Sequence, residues 1–532
     1  MMLAELSFGA GCFLVLAIGM ALAFEFVNGF HDTANAVATV IYTHTLKPWV
    51  AVIWSGCWNL TGVMVSSGAV AFAVLSLLPV ELVVNVGSGA GFAMVFALLI
   101  SAIIWNLGTW YLGLPASSSH TLIGSIMGVG LANSLLAKGH VFGEGVNWAK
   151  AGEVFSSLLI SPVIGFVGAG ALLLIAKLLI RKPELYKAPP KDVPPPTWIR
   201  GLLILTCTGV SFFHGSNDGQ KGMGLLLLIL IGILPATYAL NMDTDPAHLR
   251  KIEQTAAAVE GQLASHSPGV VVAPEEAGDE LSAYLKTTGK VNGRTFAALA
   301  TMNRTIVGTL AAKTSLAQLP AEERKLLRTN IYLEGEAIGK LNKQHLLTDS
   351  SEKTALMAYK GMLDKVTKFL PTWVKVAVAL ALGLGTMIGW KRIVTTVGEK
   401  IGKEHLTYAQ GASAEIIAMG TIGLADYFGL PVSTTHVLSS GVAGTMAANH
   451  SGLQVATLRN LLLAWVLTLP VCVLLGAATF AGGLFVVLNN LVFYLVGFMA
   501  IAIAIACVVI VRRLTARKAN GAGVALAASA SE

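Results

Sequence analysis

Charged side chains are scarce in this chain. They make up 12% of the 532 residues, and hydrophobic residues make up 55%. A soluble domain usually carries about 25% charged residues, so the shortage argues against an ordinary soluble protein. The apolar stretches run for ~20 residues and more, as membrane helices do, whereas a transmembrane β-barrel would show short alternating segments. We predict an all-α polytopic membrane protein with about ten to twelve membrane segments.

Cysteine is also rare, and no basic leader precedes the first apolar run. The five cysteines show no CxxC spacing, which argues against a disulfide framework and against a thiolate metal centre. The first residues include Glu5 and lack the basic segment of a signal peptide, so we expect the first apolar run to be retained as a helix. The net charge of +7 is modest, and we expect a lipid bilayer rather than nucleic acid as the partner.

Polar segments divide the chain into six predicted parts. The segment 181–200 is basic and rich in proline, which predicts an extended linker. The segment 241–370 holds sixteen Lys/Arg and fifteen Asp/Glu, and its periodicity predicts a soluble, mainly helical insert. The parts are a first membrane repeat (1–180), the linker (181–200), the start of a second repeat (201–240), the insert (241–370), the rest of the second repeat (371–511) and a disordered basic tail (512–532).

Two motifs each occur twice. GFHDTANA at 29–36 matches GSNDGQKG at 215–222 with an offset of 186. YLGLPASSSH at 111–120 matches YFGLPVSTTH at 427–436 with an offset of 316. The offsets differ by 130, which is the length of the insert, so the two halves are an internal duplication. Duplicated halves with matching polar interruptions are typical of secondary transporters. An odd number of crossings between the copies would place the halves in inverted topology.

The second pair of motifs carries hydroxyl groups beside a proline. Proline favours the first turn of a helix, and Ser and Thr favour its cap, so we predict that two helices begin here inside the membrane. A helix N-terminus offers free N–H groups and the positive end of a dipole, which suit a tetrahedral oxyanion. The alternative is that these hydroxyls only cap and pack helices. The candidate anion-binding residues are Ser117, Ser118, Ser119, Ser433, Thr434 and Thr435.

The first pair of motifs carries ionisable groups at membrane depth, where such groups persist mainly if they pair, face water or bind an ion. Asp32 and Asp218 are candidate cation partners, because bound H⁺ or Na⁺ would bring a site loaded with an anion closer to neutrality. Amide oxygens suit hard cations, and His31 can carry a proton near physiological pH. The candidate cation-coupling residues are His31, Asp32, Asn35, Asn217, Asp218, Lys221 and Glu415. We expect no catalytic residue, no tightly bound metal and no resident cofactor.

These motifs resemble those of the inorganic phosphate transporter (PiT) family. The signature of that family runs close to GANDxANA in the first half and GANDGQKG in the second, with GLPxSxTH-like hairpins. The resemblance covers 20–240 and 371–480. It implies inverted repeats with two re-entrant hairpins, symport of orthophosphate, and a place in the bacterial inner membrane. By position it also implies that Asp32 and Asp218 couple the cation and that the hydroxyl clusters line the phosphate site.

Two departures from the family pattern bear on the coupling ion. His31 stands where sodium-coupled members usually have Asn, and Asn59 stands where they often have Glu. The segment HDTANAVATVIYT resembles the bacterial low-affinity branch, which implies H⁺ coupling and uptake of a neutral complex of phosphate with Mg²⁺ or another divalent cation. Coupling to Na⁺, another oxyanion such as sulfate or arsenate, and a homodimer stay open.

Two readings of other classes fit less well. A membrane-embedded hydrolase would need a Ser–His pair, but Ser119 and His120 are adjacent in sequence and adjacent residues do not face one another on a helix. A passive anion channel would avoid paired carboxylates in its pore.

Overall fold

The computed structural model describes residues 8–32, 34–78, 88–136, 142–143, 146–190, 193–286, 289–311, 313–489 and 491. Within these ranges the regular structure is helical and no β-strand occurs, which confirms the predicted all-α class. The chain divides into two units, Met1–Ala481 and Gly482–Glu532. The described part of the second unit completes the last helix. The end of the second predicted repeat after residue 489, apart from Leu491, and the predicted tail (512–532) lie outside the described residues.

The first half is built from apolar helices. They are α1 (Phe8–Asp32), α2 (Ala34–Tyr42), α3 (Pro48–Val65), α4 (Ala69–Leu75), α5 (Gly89–Tyr111), α6 (Ser118–Leu136) and α7 (Trp148–Leu179). The side chain of Ser88 caps α5 by accepting a hydrogen bond from the Gly91 N–H at 3.1 Å. α5 and α6 pack against each other as a hairpin.

One long helix, α8 (Thr197–Ile233), carries the second ionisable motif. The polar motif 215–222 lies within this helix and does not interrupt it. Every residue from His214 to Ile231 is buried, so the polar side chains of the motif face protein neighbours rather than lipid. The backbone therefore has no need to leave the helix where the sequence becomes polar.

The segment 241–370 is helical, as its periodicity predicts. After the short α9 (Pro235–Tyr238), it contains α10 (Pro246–Ser265), α11 (Pro274–Leu285), α12 (Gly293–Leu310), α13 (Ala321–Lys343) and α14 (Ser350–Thr367). These helices enclose an apolar core of their own that includes Leu281, Leu299 and Ile338. The borders of this insert and of the other five parts stay a prediction.

The rest of the second half consists of α15 (Thr372–Ile388), α16 (Lys391–Thr395), α17 (Tyr408–Tyr427), α18 (Thr434–Ala448) and α19 (Val455–Leu488). α17 and α18 pack together as a second hairpin. Outside the hairpins, α1 packs along α15, α3 along α8, and α7 along α18. Helices from the two halves of the chain are therefore interleaved, and both hairpins are held within one body.

Several described helices are long and apolar enough to cross a membrane. Phe8–Tyr42, Gly89–Tyr111, Trp148–Leu179 and Val455–Leu488 pass this test alone. Two further pairs pass it together, and they are bent by 76° between α3 and α4 and by 74° between α14 and α15. These helices agree with a multi-pass membrane protein. The predicted number of segments and the inverted orientation of the halves stay predictions.

The core of the insert contains a carboxyl group without a partner. Glu334 on α13 is fully buried, and neither of its carboxyl oxygens makes a hydrogen bond to another described residue. Burial raises the pKa of Glu334 well above its usual value. The folded protein therefore keeps a proton that the unfolded chain loses above about pH 4.3. The stability of the insert should fall as pH rises from that value toward the folded pKa.

Replacing Glu334 by Gln should remove this pH dependence. The amide does not ionise, so Glu334→Gln should raise the unfolding temperature of the full-length protein at pH 8 and change it much less at pH 5. Thermal unfolding in detergent at both pH values measures the effect. Glu323→Gln, at an exposed position of the same helix, is the matched control. An equal effect of Glu334→Gln at pH 5 and pH 8 would show that ionisation is not involved.

Candidate functional site

The two hydroxyl clusters lie at the starts of two buried helices. The Ser117 side chain accepts a hydrogen bond from the His120 N–H at 3.2 Å as α6 begins. Ser433 accepts one from the His436 N–H at the same distance as α18 begins. All six hydroxyl residues are buried. Each cluster therefore sits where the sequence places a helix start, with the positive end of a helix dipole behind it.

The tips of the two hairpins touch each other. The Ser119 hydroxyl donates to the carbonyl oxygen of Val432 at 2.7 Å, which links the first hairpin to the second. The rings of His120 and His436 lie with their centroids 4.7 Å apart. The starts of α6 and α18 therefore face one shared region, although 316 residues separate the matching positions.

Ser118 brings the two kinds of motif together. Its hydroxyl oxygen lies 2.8 Å from Oδ2 of Asp32 and 3.3 Å from Oδ2 of Asp218. Thr435, from the second hairpin, donates to Oδ1 of Asp32. Both carboxylates are almost completely buried. The duplicated Asp residues and the duplicated hydroxyl clusters thus form one polar centre among buried helices.

Cationic and neutral groups surround the carboxylates. The Nζ of Lys221 lies 2.7 Å from Oδ1 of Asp218 and donates to the Ser119 hydroxyl at 2.5 Å. Nδ1 of His31 lies 3.5 Å from Oδ1 of Asp32, and its Nε2 lies 3.1 Å from the hydroxyl of Thr109. One buried lysine thus offsets Asp218, and the basic side chains that the structure describes beside Asp32 are histidines.

A group that can hold a cation lies at the same place. Ligand atoms of Asp32, His214 and Asp218 lie within 4.8 Å of one another, and all three residues are buried. Nδ1 of His214 is 2.5 Å from Oδ1 of Asn59, which orients the ring. Sequence reasoning missed His214. The signal was present, because His214 and Asp218 are four residues apart and share one face of α8.

The other predicted residues are placed differently. Asn217 donates to the Leu430 carbonyl at 3.1 Å, which ties α8 to the tip of the second hairpin. Thr434 has a buried hydroxyl that makes no hydrogen bond to another described residue. The side chain of Asn35 lies outside the described residues. Glu415 forms a separate buried pocket, in which its carboxyl oxygens accept hydrogen bonds from Thr39 and Thr206.

Two further acidic residues near the second motif were not selected from the sequence. Asp426 accepts hydrogen bonds from Ser216 and Gln220, each at 2.6 Å, and so ties α8 to α17. Glu25 is fully buried on α1 and lies against Gly222 of α8, where an added Cβ would come within 2.4 Å of its Oε1. Glu25 lies about two turns before Asp32 on α1, and Asp426 directly precedes the second hydroxyl motif at 427–436.

Glycines at the first position of each ionisable motif let helices approach closely. A Cβ added at Gly29 would lie 2.2 Å from the carbonyl oxygen of Leu382, and one added at Gly215 would lie 2.1 Å from that of Asn59. Both of these oxygens belong to the backbone, so they cannot rotate away as a side-chain atom can. These contacts hold α1 against α15 and α8 against α3, and so set the positions of Asp32 and Asp218.

Substitution at Gly215 should therefore destabilise the protein. Gly215→Ala forces α8 away from α3, and we expect a loss of about 1–3 kcal/mol. Gly201→Ala, on the same helix with no atom within 4 Å of the added Cβ, is the matched control and should be neutral or slightly stabilising. Thermal unfolding of both variants in detergent measures the difference. Equal unfolding temperatures would contradict the close approach.

Known proteins are similar to this chain along most of its length. Residues 28–476 match the Phosphate transporter family. Escherichia coli (strain K12) has two similar proteins, named low-affinity inorganic phosphate transporters PitA and PitB. PitA is 41% identical over 504 residues, covering 91% of this chain and 98% of PitA. PitB is 41% identical over 490 residues, covering 89% of this chain and 96% of PitB.

A solved structure described as the sodium-dependent phosphate transporter is 19% identical, with a TM-score of 0.48 over 88% of this chain and 98% of its own. The family match over 28–476 and the identity with the two Escherichia coli proteins show that this chain is a multi-pass membrane protein that belongs to the phosphate transporter family.

Proposed function

We propose that this chain is a secondary active symporter that imports inorganic phosphate. The observation that carries the proposal is Ser118, whose hydroxyl lies between two buried carboxylates at the start of a helix. A helix N-terminus with hydroxyl donors suits an oxyanion, and buried carboxylates suit a cation. The relatives named as low-affinity inorganic phosphate transporters support phosphate as that oxyanion. They are named as transporters, which gives no support to the hydrolase reading.

The hydroxyl clusters supply the anion-binding part of the site. Ser117 and Ser433 accept capping hydrogen bonds, so each keeps its O–H proton to donate to the anion. Ser118 and Thr435 donate to Asp32, so they become donors to the anion when that carboxylate is protonated. Thr434 has no hydrogen-bond partner among the described residues and is free to donate to phosphate. Lys221 adds a positive charge beside Ser119, where it neutralises part of the phosphate charge.

We propose H⁺ as the coupling ion. His31 and His214 flank the two carboxylates, with Nδ1 of His31 3.5 Å from Asp32 and Nε2 of His214 3.7 Å from Asp218. Protonation of Asp32 or Asp218 frees the Ser118 hydroxyl to turn toward the anion, so cation and anion binding support each other. Asp32, His214 and Asp218 also form a donor set for a divalent cation, which suits cargo carried as a neutral metal–phosphate complex.

Three parts of the proposal rest on the duplication and on the resemblance to the phosphate transporter family rather than on the site. The two halves have inverted topology, their hairpins are re-entrant, and the bacterial inner membrane is the place of action. A homodimer is a further proposal. The meeting of the two hairpin tips through Ser119 and Val432 supports the re-entrant arrangement, because it requires both helix starts to reach the same depth.

The coupling ion is tested by uptake of ³²P-phosphate into proteoliposomes under separate H⁺ and Na⁺ gradients, with and without Mg²⁺. We expect an inward H⁺ gradient to drive accumulation, Mg²⁺ to increase it, and a Na⁺ gradient at fixed pH to have no effect. Sulfate in excess tests selectivity and should compete weakly. Uptake driven by Na⁺ alone would replace H⁺ by Na⁺ in the proposal.

The carboxylates are tested by Asp32→Asn and Asp218→Asn. Each amide keeps the volume of the side chain but cannot take up a cation, so gradient-driven uptake should fall by more than about tenfold, which corresponds to 1.4 kcal/mol or more. Asp279→Asn, at an exposed position of the insert, is the control and should transport normally. Wild-type uptake by a folded Asp218→Asn protein would rule out coupling through that residue.

A further inference from the structure

The insert places an arginine in a buried position without an acidic partner. Arg328 lies on α13 and is 8% exposed. Its guanidinium makes no ion pair or hydrogen bond with another described residue. The contact that the structure gives it is with the ring of Tyr332, one turn along the helix, at 5.4 Å from the ring centroid.

This arrangement leaves a positive charge uncompensated. A guanidinium stays protonated in proteins, and a buried charge is costly unless a counter-charge or hydrogen bonds compensate it. Burial lowers the pKa of Arg328, in keeping with an environment that disfavours its charge. A neighbouring lysine differs in this respect, because Lys368 pairs with Glu336 at 3.2 Å and with Asp364 at 3.1 Å.

Arg328 borders a cavity between the insert and the membrane helices. The cavity has a volume of about 50 Å³, which exceeds the space that a single water needs. From the insert it is lined by Arg328, Tyr332 and Lys368, and from the membrane helices by Ser76 and Leu228, among others. The lining residues include two basic residues, Arg328 and Lys368, and one acidic residue, Glu336. The wall of the cavity thus carries one excess positive charge.

We propose that this cavity binds a phosphate group, in a site distinct from the transport centre. A guanidinium presents two parallel N–H donors, which can bind two oxygens of one oxyanion at the same time. A spherical halide offers no such pair of acceptors. The hydroxyl-bearing residues Ser76 and Tyr332 border the same cavity. The phosphate group comes either from inorganic phosphate or from the headgroup of an anionic lipid, since one wall of the cavity belongs to membrane helices.

Such a site would couple the insert to the membrane helices. The bound group would join α13 to the end of α4 and to α8, which carries Asp218. Occupancy would then stabilise the contact between the insert and one of the helices of the transport centre.

The experiment uses the full-length protein in maltoside detergent, which contains no phosphate. Equilibrium dialysis with ³²P-phosphate measures the bound phosphate per chain, and thermal unfolding measures stabilisation by phosphate or by short-chain phosphatidylglycerol, with chloride at equal ionic strength as the reference. The variants are Arg328→Gln and, in case that protein fails to fold, Arg328→Lys, which keeps the charge and loses the paired donors. Lys325→Gln, at an exposed position of the same helix, is the matched control.

If inorganic phosphate is the ligand, the wild type should bind one more phosphate per chain than Arg328→Gln, and Arg328→Lys should bind that phosphate at least tenfold more weakly. If a lipid headgroup is the ligand, the bound phosphate should be unchanged, but phosphatidylglycerol should raise the unfolding temperature of the wild type and of Lys325→Gln and not of Arg328→Gln. Equal responses of wild type and Arg328→Gln to both ligands, or equal stabilisation by chloride and phosphate, would overturn the proposal. Dialysis and thermal unfolding measure binding and not uptake. Their outcome can therefore be interpreted even if the protein proves not to transport phosphate.

Discussion

Two carboxylates buried side by side inside a membrane protein are the constraint on which this structure depends. Asp32 and Asp218 are almost fully buried, and Ser118 lies within hydrogen-bond range of both. Isolated charges at such depth are expensive, so the surroundings must supply donors, counter-charge or a bound ion. Lys221 supplies part of the counter-charge, and the hydroxyls of the two hairpins supply hydrogen-bond donors. The negative charge that these groups leave uncompensated makes the centre suitable for binding and releasing a cation.

The packing of the helices follows from the need to bring these groups together. Gly29 and Gly215 allow helix backbones to approach until an added Cβ would meet a carbonyl oxygen. Close helix contacts with small residues are the usual means of association where the hydrophobic effect offers no drive. The two hairpins then fill the space between the motif helices. Their helix starts, rather than continuous transmembrane helices, meet the carboxylates.

The two halves carry the same motifs in the same order, but the motifs differ in charge. Both halves contribute an Asp, a hydroxyl cluster and a hairpin, but Lys221 stands where the first half has Asn35, and Asn217 stands where it has His31. Glu415 adds a buried carboxyl that lies apart from the Ser118 centre, held by Thr39 and Thr206. The charge of Lys221 therefore lies on the side of Asp218, and the side of Asp32 has the imidazole ring of His31 in place of a lysine.

The sequence by itself determined the all-α class, the duplicated motifs and the helix starts at the hydroxyl clusters. These depend on composition, on repetition and on local capping, all of which are local properties of the chain. It did not determine that α8 runs unbroken through the second motif, because helix continuity there depends on which neighbours bury Asn217, Asp218 and Lys221. Asp426 was missed for the same reason, whereas His214 could have been found from its spacing of four residues from Asp218. Only the tertiary structure decided that His214 faces both carboxylates, that Glu415 lies apart, and that Arg328 is buried unpaired, since each depends on contacts between residues far apart in the chain.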